Sequence, residues 1–520
     1  MKGVKLKQVL AILLTALCAS AQLSPQSVKP PEPESPAAAL LNDSYAIASH
    51  FDVDERVPYL VNLTEVAVDI APPEKVKIWC RKLFADSFQL SNPQMRIAEE
   101  KNALVPLSKI DAQLAMDLFP KVEDPPAGNL SEDVRANAAT HIFPNYWHLN
   151  GIKGLSTIQQ MARHIGESGE YPYRAMGLIL AELAKSKENP ESRQKVGGIL
   201  RDALEFYQLG ESRFRNRNIE FLDLLEMGKP FSSDVQYSQA VTLFLGHLTT
   251  EKPPKENFSG EVYTTKGVFK FTDLNQQLLF RGFKLIAEFA PQRVPELVQQ
   301  HPDLKQANTD IESFSSGVVL GNPTPDEALR LQGEMSQKAL LSRIESLQKN
   351  SPEEALVLAE TLRSPAMRIT ARTYVLPRSN PATARGIYVQ QLEEIEGLKD
   401  GPDKLNALVS VAKSAFFVRD LNNFDVLSIA VLDKGEKLFT DDVRRLPRWR
   451  AEVHEGFDQM TDIVEFNASH GSGWLANRVS QMGNQTLKAY LLIYAAKGIN
   501  EAAHNEPAHT DQAVTVAGIK

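Results

Sequence analysis

Six times in this chain a Ser, Thr or Asn stands directly before a proline that opens an apolar-periodic run: Asn92-Pro93, Asn189-Pro190, Thr324-Pro325, Ser351-Pro352, Ser364-Pro365 and Asn380-Pro381. A side-chain oxygen at the N-cap accepts a bond from an orphan N–H, and proline at the first helical position lacks only an N–H that the helix leaves unpaired. Each pair therefore predicts a helix start. Thr324-Pro-Asp-Glu327 and Ser351-Pro-Glu-Glu354 also place a Glu at the third helical position, which predicts a capping box. Because the pairs recur from residue 92 to residue 380, the body of the chain reads as one short helix after another.

The rest of the text agrees. From about Asp52 the apolar positions take a helical period, as in Val57, Leu60, Val61, Leu63 and Val66. Strand-like alternation is confined to Gly260–Phe271, where two short runs flank Thr264-Thr-Lys-Gly267 and predict a β-hairpin. Several helical units share a turn residue, then Pro or Ala, two mostly polar positions and a small apolar residue. Examples are Pro72–Val76, Asp111–Ala115, Tyr171–Ala175, Ala290–Val294, Ser351–Ala355 and Asn380–Ala384. Small residues there let antiparallel helices approach closely, which is how one helix pair stacks on the next. The units recur at intervals from roughly 30 residues to more than 100, so the repeat is degenerate.

In the Asn/Ser-Pro-x-x-Ala helix starts, and in segments such as Ser351–Leu362, the chain resembles the tetratricopeptide-like α-solenoids, here of a bacterial-envelope kind. The resemblance covers residues 50 to 440 in style, without the family's Trp/Leu-Gly/Tyr pattern at a fixed period. It implies an all-α fold, an α-solenoid of stacked antiparallel helix pairs with a concave surface that binds a partner, and it carries over no binding residue.

Lys2, Lys5 and Lys7, an apolar stretch from Val9 to Leu17 and Ala19-Ser20-Ala21 predict a secretory signal peptide over 1–21. Lipoprotein processing at Cys18 is the rival, disfavoured by the bulky Leu17 before it. Cleavage leaves 54 basic residues against 65 acidic ones, a net charge of −11, which excludes an electrostatic preference for nucleic acid or anionic lipid. The local cluster Arg213, Arg215, Arg217 reads as a solvated helix face. No stretch is apolar for long enough to span a membrane. Cys80 is then the only cysteine left and reads as a buried hydrophobe. Breaks at Thr249–Gly260 and Ser315–Pro325 divide the chain into a Pro-rich tether over 22–41, an N-terminal helical half over 42–250, a linking region over 251–325, a C-terminal helical half over 326–500 and a disordered tail over 501–520.

The densest unusual segment is Thr140–Asn150, with His141, Tyr146, Trp147 and His148, followed by His164. Three imidazoles suit Zn²⁺ and the aromatic rings suit the floor of a ligand cleft. His141 and His148 share a helix face only if a helix survives Pro144; otherwise the segment is an inter-helix loop, which is the expectation. His454-Glu455 matches the start of a zinc-binding H-E-x-x-H helix, but position 458 is Asp, so a solvated helix is expected. Ser469–Trp474 lacks the spacing of a nucleophile elbow and reads as a glycine-rich turn before a helix. The acid pairs Glu99-Glu100, Glu393-Glu394 and Asp441-Asp442 read as helix-end or exposed charge. Nothing matches a phosphate loop, and no cofactor is implied.

The resulting expectation is an exported, non-enzymatic helical-repeat protein that offers a curved surface to a protein or peptide. The alternative is an extracytoplasmic all-α enzyme acting on a glycan or other polymer through carboxylates in an aromatic cleft. No sustained heptad points to an oligomer.

Overall fold

The computed structural model describes residues 34–504, apart from 127, 129, 131, 186–189, 209–213, 234, 251–257, 265–266, 308–310, 319–336, 339, 446–449 and 471–473. The expected signal peptide lies outside the described residues. The protein is all-α apart from one small sheet. Its first half contains α1 (Pro36–Ala48), α2 (Val53–Ala67), α3 (Pro73–Ser87), α4 (Pro93–Ile110), α5 (Ala112–Leu118), α6 (Val134–Asn150), α7 (Leu155–Ser168), α8 (Tyr173–Ala184), α9 (Pro190–Gln208), α10 (Arg217–Gly228) and α11 (Val235–Thr250). Strands β1 (Phe258–Thr264) and β2 (Gly267–Phe271) follow, then α12 (Leu274–Arg281), α13 (Phe283–Phe289), α14 (Val294–Gln300) and β3 (Ile311–Val318). The second half contains α15 (Pro352–Ala359), α16 (Pro365–Val375), α17 (Pro381–Glu396), α18 (Pro402–Phe417), α19 (Leu421–Arg445), α20 (Phe457–Ser469), α21 (Trp474–Ser480) and α22 (Gln485–His504).

Proline placement sets most of these boundaries. α4, α9, α15, α16 and α17 begin at the predicted prolines, while Thr324-Pro325 lies outside the described residues. Asn92 Oδ1 accepts from the Gln94 amide (2.9 Å), Asn380 Oδ1 from the Thr383 amide (2.9 Å) and Ser364 Oγ from the Met367 amide (3.4 Å). The capping box at Ser351 does not form, because that side chain makes no cap bond. A further pair, Ser35-Pro36, opens α1, with Ser35 Oγ accepting from the Ala38 amide (3.1 Å). Packed helix thus occupies part of the stretch read as a tether, since Ala37, Ala38 and Leu41 are buried. At the other end α22 continues to His504, into the stretch read as a disordered tail.

Three prolines do not start helices. Pro58, Pro106 and Pro144 lie inside α2, α4 and α6. An interior proline costs about 3 kcal/mol, and fully burying one large apolar side chain returns roughly 1.5–3. Ile142, Phe143 and Tyr146, all buried around Pro144, are enough to carry α6 through it. The segment expected to be a loop is therefore continuous helix.

The even-numbered helices other than α14 form one row in which each packs on the next: α16, α18, α20 and α22, then α2, α4, α6, α8, α10 and α12. Odd-numbered helices pack on this row, so the unit is a helix pair, as in a helical-repeat fold. The row runs straight through the chain termini, because α22 packs on both α1 and α2. Ser44 Oγ donates to the Ala489 carbonyl (2.5 Å) and lies 2.6 Å from the Tyr59 hydroxyl. Tyr59 meets Tyr490 edge to face with ring centroids 5.4 Å apart, and Tyr490 meets Phe457 in the same way at 5.3 Å. Thr486 donates to Glu55, Asn62 to Glu452 and Arg450 to Glu99 across the same seam. One apolar core accordingly extends from Ala37 to Ala496.

In space the row starts at α16 and ends at α12, whose neighbour β1 pairs with β3 as far as Phe258↔Val318. Gln337 Oε1 accepts from the Ser364 amide (3.2 Å) at the other end.

The sheet has strand order β2-β1-β3. The predicted hairpin is present, antiparallel in the register Gly260↔Phe271 to Thr264↔Gly267. β3 occupies part of what reads as a Ser/Gly-rich linker, because its pairing comes from the open edge of β1 rather than from its own side chains. Cys80 is buried as expected, and burial pushes its thiol up to about 12. No helix among the described residues is long and apolar enough to cross a membrane.

If the seam is a structural joint rather than a contact of two frayed ends, truncating Tyr59 must loosen both termini. Tyr59→Ala is expected to cost about 3–5 kcal/mol in denaturant unfolding, as for other large buried aromatics. Hydrogen exchange should accelerate together in α1–α2 and α20–α22; acceleration confined to α2 would show that the seam is not shared.

Candidate functional site

The histidine segment does not converge. His141 and His148 sit seven residues apart on α6 and so share a face, but both are exposed, as is His164 on α7. Partial burial and the positive charges of Lys101, Lys109 and Arg174 push the His141 imidazole below its ordinary value. Tyr146 is buried and Trp147 packs against the core, so the two rings brace α6. Among the described residues no three His, Cys, Asp or Glu side chains are grouped to hold a metal ion.

A concavity lies elsewhere, at the seam between the first and last described helices. It has a volume of about 520 Å³ and is assembled from three distant parts of the chain. The start of α2 supplies Asp52, Asp54 and Glu55; the end of α19 supplies Phe439, Thr440, Val443 and Arg444; and the start of α22, with the turn before it, supplies Asn484, Thr486 and Tyr490. Ala451 and His454 complete the lining. Acids suit the α2 terminus because the helix dipole favours negative charge there. Asn484 Oδ1 caps α22 by accepting from the Leu487 amide (3.1 Å).

His454 is held firmly. Its Nδ1 lies 3.0 Å from Asp442 Oδ2, and both side chains are buried. Arg445 donates to the other oxygen of Asp442 (2.7 Å) and the Glu455 amide to Oδ2 (3.4 Å). The Arg445 guanidinium, then the His454 ring, hold the Asp442 carboxyl down to about 2. An ionised Asp442 is an acceptor only, so Nδ1 of His454 carries the hydrogen. The expected solvated helix around His454-Glu455 is absent. His454 ends a short 3-10 turn, and Gly456 takes a left-handed φ of 88° before α20 begins at Phe457. A Cβ at Gly456 would lie 2.6 Å from the Gly435 carbonyl oxygen, so only glycine lets this turn close onto α19 and deliver His454 to Asp442. His454 and Asp458 share no helix face.

Other charges read from sequence as exposed are also internal. Glu99 and Glu100 are fully buried in α4; Glu99 pairs with Arg450, and Glu100 Oε2 accepts from the Glu123 amide (2.8 Å) while Oε1 has no hydrogen-bond partner. Burial pushes the Glu100 carboxyl up to about 7. Glu394 is bound by Arg368 and Arg372. Arg217 is buried with its guanidinium 4.7 Å from the Tyr207 ring centroid, donating to the Phe206 and Tyr207 carbonyls, instead of lying on a solvated face. Arg213 lies outside the described residues. The seam residues are more than 370 positions apart in sequence, so no local motif announces them.

No protein-family model matches the chain, and no curated protein matches it.

The buried Glu100 makes a signed prediction. Its folded value lies above its unfolded one, so native Glu100 keeps a proton that the unfolded chain has released. Its contribution is neutral below about pH 4.5, becomes unfavourable as pH rises to about 7 and is constant above that. Glu100→Gln should therefore be no more stable than wild type at pH 4 and more stable by about 2–3 kcal/mol at pH 8. Urea unfolding at the two pH values checks this; an equal effect at both would remove ionisation as the cause.

Proposed function

We propose that this protein is an exported, non-enzymatic helical-repeat scaffold that holds a protein or peptide partner on its curved helix array. The observation that carries this reading is the distribution of exposed apolar side chains. Among the described residues of the C-terminal half all but Val453 fall on the odd-numbered helices: Val357 on α15 is 70% exposed, Val389 on α17 51% and Val426 on α19 63%, with Leu421 and Ile429 beside it on the same helix. Successive odd helices thus repeat the same exposure, while the even helices beneath them are packed against each other. A row of apolar residues on one layer suits an extended or helical apolar partner. Photo-crosslinking residues placed at 357, 389 and 426 in cells are expected to capture one and the same protein. Capture should fall at least tenfold with the pair Val426→Glu and Ile429→Glu and be absent from Glu205 on α9. Unrelated products at the three sites would sink the proposal.

A second reading rests on Glu220 of α10. Burial, then Glu170, Glu132 and Asp223, push its carboxyl up to about 8, so it carries a proton at neutral pH. A protonated carboxyl beside other carboxyl groups is the arrangement that delivers a proton to a leaving oxygen in glycoside cleavage, and the buried rings of Tyr171 and Tyr173 lie in the same region. Under the scaffold reading purified protein leaves cell-wall glycan intact. Cleavage that is abolished by Glu220→Gln, with the fold preserved by circular dichroism, would replace the scaffold by an enzyme.

A further inference from the structure

We propose that the cavity at the seam of the termini is a binding site for a small zwitterion of dipeptide size, an ammonium and a carboxylate joined by an apolar body. Three observations converge on it, and none depends on the scaffold reading.

The first is uncompensated charge of both signs at one mouth. Asp52 and Asp54 make no ion pair or side-chain hydrogen bond among the described residues, and Asp52 does not cap α2 although it occupies the cap position. Glu55 accepts only from Thr486. Arg444, from α19, makes no ion pair either. Arg372, by contrast, is paired with both Glu360 and Glu394.

The second is Tyr490. This side chain lines the cavity and is 1% exposed, yet its hydroxyl makes no hydrogen bond among the described residues. The ring is buried against Tyr59 and Phe457 while the hydroxyl oxygen stays open to solvent, so a ligand in the cavity can accept from it or donate to it. The third is shape and lining. The volume of about 520 Å³ falls within the range of small-molecule sites, roughly 300–1,000 Å³. Phe439, Val443 and Ala451 supply apolar wall.

The charges select the ligand. An ammonium suits the carboxylates of Asp54 and Glu55, which stand in the first turn of α2. A second ammonium would meet Arg444, whereas a carboxylate would pair with it. A diamine is therefore a poor fit and a zwitterion a good one. Because the lining comes from α2, α19 and α22, a bound ligand ties the first helices to the last and raises the stability of the whole array by linkage.

The test is calorimetric titration of the full protein with alanyl-phenylalanine, N-acetyl-alanyl-phenylalanine, alanyl-phenylalanine amide and 1,4-diaminobutane. The unmodified dipeptide is expected to bind at least tenfold more tightly than any of the other three. Asp54→Asn, at an exposed position with no bonded partner, should erase the preference over the acetylated form. Arg444→Gln should erase the preference over the amide. Both variants are checked for wild-type thermal unfolding without ligand. Slower hydrogen exchange in α1 and α22 with dipeptide present places the binding at the seam. No detectable binding up to millimolar concentration overturns the proposal, as does equal binding of the acetylated dipeptide or of the diamine. Binding unchanged in both variants overturns it equally.

Discussion

The packing of α22 against α1 and α2 is the contact on which the rest of the structure depends. In an open helical array the chain ends are also the array ends, and each must be capped by a polar face. Here the first and last described helices lie in the middle of the row. Tyr59, Tyr490 and Phe457 interlock there, and the Ser44 hydroxyl reaches the Ala489 carbonyl, so the two halves share one apolar core. The spatial ends of the array are joined instead by the polypeptide between β3 and α15. A repeat architecture with termini inside and a covalent tie outside resists fraying, because neither terminal helix can leave without exposing the central core.

The same joint creates the cavity. Helix starts bring acids, helix ends bring cations, and the seam puts the start of α2 beside the end of α19 and the start of α22. Charge that each helix tolerates for its own dipole thereby becomes a shared polar mouth. Asp442 and His454 stiffen its floor: the carboxylate fixes the imidazole, and Gly456 permits the turn that brings them together. The ion pair of Glu99 with Arg450, across the same seam, ties α4 to the segment before α20.

Helix starts were legible because capping is local: Asn92, Ser364 and Asn380 hold amides two or three residues away. The hairpin was legible for the same reason. Pro144 was misread because a helix breaker acts within one turn, whereas the packing of Phe143 and Tyr146 that overrides it comes from neighbouring helices. β3 was missed because Ser and Gly carry little strand signal and its hydrogen bonds are supplied by β1. The acids at 99, 100 and 442 were taken for surface charge because burial is not written in the residue itself. The cavity left no trace in the text, since its three contributing segments carry no common motif.

What the sequence by itself determined is a class: many short helices with set starting points, one hairpin and an inert buried thiol at Cys80. Each of these depends on interactions within a few residues or on the chemistry of one side chain. Only the tertiary structure decided that the last described helix packs on the first two, and that Asp52, Asp54, Arg444 and Tyr490 face one space. Those facts depend on which helix packs on which, and stacking of degenerate pairs leaves that choice to the complementary surfaces of helices hundreds of residues apart.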